Sequence, residues 1–159
     1  MHRTGAVVVT VESKQAEREK VAFLSAYREL MLEINIKEER LARIDSQLYG
    51  VRGVQLSDMP KGGEAKGYAE YVAIKVDLFD EINREVLAAH ALAREIKAAI
   101  AAMPSRIDRL VLEMRHIDCM TYEEMAEKLA ETKHNKEPYS VRHVTRMYWA
   151  AVGRFTVPK

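Results

Sequence analysis

Apolar positions along the chain fall into two long helical seams followed by three shorter amphipathic segments. From Ser13 to about Leu48, the residues Leu24, Tyr27, Met31, Ile34, Leu41, Ile44 and Leu48 recur at heptad spacing. Ser13 is a suitable N-cap. Glu38 interrupts the seam, and acidic and basic residues fill the other faces in nearly equal numbers, as on a solvent-laced helix. A second seam runs through Tyr71, Leu78, Ile82, Ala89, Leu92, Ile96, Ala99 and Met103. Between the seams, Tyr49 to Gly67 (YGVRGVQLSDMPKGGEAKG) breaks the pattern with five Gly and one Pro.

Two helices of roughly 35 residues would each be about 50 Å long. Neither buries its seam alone. The pattern therefore predicts an antiparallel coiled-coil hairpin over 13–103, with the Gly-rich loop 49–67 at its tip or folded back along it. The alanine-rich stretch Leu87 to Met103 admits a closely packed further helix, from the hairpin, the C-terminal helices or another subunit. Remaining apolar faces point to a homo-oligomer built through this arm, against the plainer alternative of a structural spacer. Residues 1–12 read as a short extended or disordered leader, since the β-branched run Val7 to Val11 is at most one strand.

The region 104–159 predicts three helices. Pro104 ends the second long helix, and Pro104-Ser105 opens the next. That helix, Arg106 to Ile117, places Ile107, Leu110, Val111, Met114 and Ile117 on one face. After a break at Asp118-Cys119-Met120, Thr121 and Glu124 form a capping box, and Met125, Ala126 and Leu129 supply a buried face. Ser140 caps the last helix, 140–155. Its apolar face carries Val141, Val144, Tyr148, Ala151, Val152 and Phe155. The opposite face carries Arg142, Arg146, Trp149 and Gly153, with His143 and Thr145 at its edges.

Composition supports an all-α reading. Helix-favouring residues dominate, with only seven Gly and four Pro in 159 residues. The net charge of +1 hides an asymmetry: Arg142, Arg146, Arg154 and Lys159 follow Pro138, where Asp and Glu are absent. A basic terminal helix suits phosphate contact, although a basic solvated face has the same composition. Arginines at i and i+4 near a helix start are placed to pair with base edges in the major groove. The lone Cys119 excludes an internal disulfide and fits a reducing cytoplasm. Neither a signal peptide nor an apolar run of about 18 residues is found, so a cytoplasmic protein without membrane contact is expected.

MPSRIDRLVLEMRHID, followed by TYEEMAEKLA and YSVRHVTRMYWAAV, resembles region 4 of the bacterial sigma-70 family. There a helix of LP-x-R-x-x-x-V-L-x-L-R type precedes a T-Y-x-E-I-A-x-x-L helix and a recognition helix. A fuller resemblance is to phage and prophage proteins that join a long helical N-terminal part, a loop like Ser57-Asp58-Met59-Pro60-Lys61-Gly62-Gly63, and this C-terminal domain. RinA- and ArpU-like members of this general type are regulators of phage late transcription or packaging; much of the family has no established function. The resemblance spans nearly all of Ser13 to Phe155 and implies a sigma-like helix-turn-helix that regulates transcription on double-stranded DNA in a bacterial host.

Carried over by position, base readout falls on Arg142, Thr145 and Arg146, in agreement with the helical-wheel reading. Phosphate and positioning roles are expected for His143, Arg154, Lys133, Lys136 and Trp149, with packing of Trp149 against the helical arm left open. Two departures from the pattern stand out. Cys119 replaces the usual Gly before the Thr of the second helix, where a left-handed backbone strains. The turn Ala130 to Tyr139 is also longer than the usual four or so residues, so either the 133–136 loop reaches phosphates or the second helix runs on.

Other chemistry is weaker. His116, Cys119, His134 and His143 lack the paired spacing of a zinc site. Asp77, Asp80, Glu81 and Glu85 read as a solvated helix face. No phosphate-cradling loop, nucleophile elbow or H-E-x-x-H motif occurs. An enzyme, a metal and a cofactor are therefore not expected. Two alternatives to a transcription regulator stay open: a small-terminase-like packaging protein, and an interaction module contacting host RNA polymerase.

Overall fold

The computed structural model describes the backbone of residues 4–54, 64–131 and 139–158, and the side chains of 13–49, 67–131 and 139–158. Among these residues the chain is all-helical. The five helices are α1 (Thr4–Val54), α2 (Glu64–Ala101), α3 (Arg106–His116), α4 (Tyr122–Glu131) and α5 (Val141–Arg154). No helix among the described residues is long and apolar enough to cross a membrane.

The segment expected as an extended leader is helical from Thr4 onward. Ser13 lies inside α1 and caps nothing. Adding a β-branched residue to an existing helix costs only some tenths of a kcal/mol, because the nucleation barrier has already been crossed. The interruption between the long helices is narrower than the Gly-rich stretch suggests, since α1 reaches Val54 and α2 begins at Glu64. The Ser57 to Gly63 motif lies outside the described residues.

The chain divides into two compact units, Met1–Arg28 with Ala91–Lys159, and Glu29–His90. In the first, α3, α4 and α5 share one core with the nearby ends of α1 and α2. Leu24 from α1, Ile96 and Ile100 from α2, and Val111, Leu112, Met125, Leu129, Val144, Val152 and Phe155 are buried together. Both sides of Met103 lie in this unit. Three helices of 10 to 14 residues offer little apolar area by themselves, and small domains bury too small a fraction of their surface to be stable. The alanine-rich end of α2 and the first part of α1 supply the missing cover.

Local signals set the short helices. The Ser105 hydroxyl accepts from Asp108 N–H at 3.3 Å. Thr121 and Glu124 close the reciprocal capping box, with Thr121 N–H donating to Glu124 Oε2 at 2.7 Å and Glu124 N–H to Thr121 Oγ1 at 3.2 Å. Ser140 Oγ accepts from His143 N–H at 3.2 Å. Three residues placed on buried faces by periodicity are exposed, Tyr71 (41%), Ile107 (43%) and Val141 (39%). Leu112 is fully buried instead, because α3 is covered from two sides rather than along one stripe.

In the second unit, Leu78 and Ile82 of α2 and Ile34, Ile44 and Leu48 of α1 are buried. Lys37 Nζ pairs with Glu81 (2.6 Å) and with Glu85, and Lys75 pairs with Asp45 (2.5 Å). As the α1 number rises from 37 to 45, its α2 partner falls from the 81–85 region to 75. These partly exposed pairs fix register more than they add stability.

Candidate nucleic-acid interface

The side chains expected to read bases lie on the outward side of α5. Arg142 and Arg146 are exposed and make no ion pair or hydrogen bond among the described residues. Thr145 is half-buried, and its hydroxyl donates to the Val141 carbonyl at 2.9 Å. That bond occupies its proton and leaves the oxygen as an acceptor. His143 is exposed, with its ring stacked on Tyr139 at 5.2 Å. This contact holds the imidazole beside the start of α5, where the first free N–H groups also point.

Arg146 and His143 edge a groove of about 340 Å³ between α5 and α3, lined further by Ile107, Val111, Met147 and Ala150. The exposure of Ile107 belongs to this groove. Its floor is apolar and its α5 rim cationic, a combination that accepts a flat apolar group with an anion beside it.

Arg154, expected to contact phosphate, also makes an ion pair within the chain. Its Nε and Nη2 donate to Asp108 Oδ2 and Oδ1 at 2.6 and 2.7 Å. The Asp108 side chain is almost fully buried, and the Arg154 hydrogen bonds hold its carboxyl below the usual carboxylate range. The guanidinium thus makes a bidentate tie between α3 and α5, with Nη1 left over. Trp149 is 45% exposed and borders a groove formed with Glu17, Arg18, Val21 and Ala22 of α1. It therefore sits against the helical arm as well as on the α5 face. Lys133 and Lys136 lie outside the described residues, as does the rest of 132–138.

His116 and Cys119 serve the fold. His116 is buried, and its Nε2 lies 3.2 Å from the Tyr148 hydroxyl. Burial pulls its pKa down to about 4 and pushes Tyr148 up to about 12. His116 Nδ1 has no hydrogen-bond partner. A bare acceptor is cheaper to bury than a bare N–H, so the proton sits on Nε2 and is donated to Tyr148. Cys119 has φ of 56°, the only non-glycine positive φ among the described residues. There the chain turns so that Met120 N–H reaches back to the Met114 carbonyl at 2.9 Å, while Arg115 donates to the Met120 carbonyl at 2.7 Å. Among the described residues no group of three His, Cys, Asp or Glu is placed to hold a metal ion.

One charged surface was missed by the reading of the sequence. Glu123, Glu124, Glu127 and Glu131 are all exposed on α4, with Lys128 paired to Glu131 at 2.9 Å. The repeat of acidic residues in YEEMAEKLAE is its signal in the sequence. No family model matches the chain, and no curated protein or solved structure matches it.

Proposed function

We propose that the chain is a phage or prophage DNA-binding regulator of transcription, with α3 to α5 as a sigma-region-4-like helix-turn-helix and α5 as the helix that enters the major groove. The observation that carries this reading is the pair Arg142 and Arg146, exposed on one face of α5 and without an intramolecular partner among the described residues. Unpaired arginines one turn apart near a capped helix start suit bidentate recognition of guanine. Thr145 lies beside them, and His143 sits where the first phosphate would be met. The phage assignment rests on the sequence resemblance alone.

The seam and the ion pairs of the second unit support an antiparallel hairpin arm. Exposed Val72, Val76, Phe79 and Leu87 share one side of α2 and support homo-oligomerisation through that arm. Phe79→Glu is expected to lower the mass of the assembly in light scattering. An unchanged mass removes this face from the interface, and a large ring in the wild type turns the reading toward DNA packaging.

Arg146→Ala is the direct test of base readout. The variant should lose about 1–3 kcal/mol of binding to a selected duplex and discriminate less against random sequence. Equal binding of both duplexes by variant and wild type sinks direct readout.

A second reading is favoured by the acidic outer face of α4. Glu123 and Glu127 repel phosphate and suit a basic protein surface, such as one on host RNA polymerase. A steep fall of duplex affinity with salt favours DNA, since phosphate neutralisation releases counterions. Polymerase binding without duplex binding favours the protein partner.

A further inference from the structure

Three contacts within the first unit align α1 with α5. The ring of Phe23 stacks on Phe155 with centroids 5.9 Å apart. Lys20 Nζ donates to the Gly153 carbonyl at 2.8 Å, where a cation meets the negative end of α5. Glu17, Arg18, Val21 and Ala22 line a groove of about 300 Å³ with Trp149. Toward the N-terminus the facing residues fall together on both helices, from Phe23 and Phe155 through Lys20 and Gly153 to residues 17–22 and Trp149, so this stretch of α1 runs parallel to α5 and beside it. One more turn toward the N-terminus brings Lys14 level with Arg146.

Lys14 and Arg18 are spaced i, i+4 and so share one face of α1. Both are exposed, and neither makes an ion pair among the described residues. Of the acids in the same stretch, Glu19 accepts from Gln15 at 3.3 Å. Glu17 is one residue from Arg18 and lies about 100° around the helix.

We infer that Lys14 and Arg18 form a second phosphate-binding element, contacting the DNA backbone beside the groove that α5 enters. The inference rests on the DNA reading above and extends its footprint to a helix outside the three C-terminal ones. A helix seated in the major groove has a phosphate strand on each side. A parallel neighbour with two free cations, one near the level of Arg146 and one near Trp149, is placed to meet one of them. Such contacts supply affinity and orientation without sequence information.

The test uses the full chain and a random-sequence duplex, with affinity measured by fluorescence anisotropy across a sodium chloride series. Lys14→Gln with Arg18→Gln should reduce the slope of log affinity against log salt by about two, near 0.9 for each phosphate released. Preference for a selected duplex over the random one should stay as in the wild type. Arg18→Gln alone should reduce the slope by about one, which serves if the double variant melts early. A slope equal to that of the wild type overturns the inference. So does tighter binding by the variant, which would mean that α1 screens the α5 face. A wild-type chain that binds no duplex overturns the DNA reading itself, a result separate from a variant that keeps the full slope.

Discussion

The carboxylate of Asp108 and the guanidinium of Arg154 form a bidentate pair at 2.6 and 2.7 Å that joins the first turn of α3 to the last turn of α5. Asp108 is 3% exposed, so its charge is sheltered, while the Arg154 side chain remains 60% exposed. The pair ties α3 to α5, the helix that also carries Arg142 and Arg146. A cation that sequence position made a candidate for phosphate thus also ties two helices together.

Removing either partner should therefore lower stability, and Asp108 is the more informative one. Asp108→Ala leaves Arg154 free in solvent but removes charge-assisted hydrogen bonds from the base of α3. A loss of about 1–3 kcal/mol is expected in urea unfolding. Arg154→Met should act in the same direction, because it strands a buried carboxylate. Neither variant should change the preference between selected and random duplex beyond what unfolding explains. A loss of preference at full stability would return Arg154 to the DNA interface.

Acid should destabilise the fold in two separable windows. His116 is neutral in the folded chain down to about pH 4, whereas the unfolded residue takes up a proton near its ordinary 6.5. Above pH 6.5 both states are neutral and stability is flat. Between 6.5 and 4 only the unfolded chain binds the proton, so stability falls by roughly 3 kcal/mol in total. Asp108 acts below that range: its contribution is present above the ordinary carboxylate value and is lost as pH drops through its depressed folded value. His116→Gln should flatten the upper window and leave the lower one. A wild-type profile already flat from 6.5 to 4 contradicts the buried neutral imidazole.

The hydroxyl of Tyr148 gives a smaller, independent check on the same site. Tyr148→Phe keeps the packing but removes the partner of His116 Nε2, leaving a buried N–H unsatisfied. A loss of about 1–3 kcal/mol at neutral pH is expected. Retained stability in chemical unfolding would place the proton on Nδ1 instead.

What the sequence made legible was whatever depends on neighbours along the chain. Of the two seams, Leu24, Ile34, Ile44, Leu48, Leu78, Ile82, Ala89, Ile96 and Met103 are buried while Tyr71 is exposed. The capping box at Thr121 and Glu124 and the cap at Ser140 are local, and each is found where side-chain chemistry places it. The same holds for Val144, Tyr148, Ala151, Val152 and Phe155, which share one side of a single helix. Relations between distant residues were hidden. Asp108 and Arg154 lie 46 residues apart and give no local sign of pairing. His116, read in passing as a poor zinc ligand, is buried because Tyr148 offers it a partner 32 residues away. The parallel run of α1 beside α5 was equally invisible, since the heptad seam of α1 assigned all its apolar surface to α2. For the candidate site, the wheel placed Arg142 and Arg146 outward but could not foresee that Arg154 pairs with Asp108.

Replacing Cys119 with glycine should stabilise the chain. At φ of 56° a side chain bearing Cβ crowds the backbone, at roughly 1–2 kcal/mol. Glycine removes that strain but raises the entropy of the unfolded chain, a penalty of roughly 0.5–1 kcal/mol. The Cys119 side chain returns little, since its Sγ makes only a 3.8 Å contact to the Ile117 carbonyl and is partly buried. The balance favours glycine by about 0.5–1 kcal/mol, readable as a higher midpoint in urea at unchanged slope. Cys119→Val should shift the midpoint the other way, because a β-branched residue fits the left-handed region worst. The two variants leave α5 untouched, so duplex preference should be the same in both. If glycine destabilises the chain, the left-handed turn between α3 and α4 is not where this fold holds its strain.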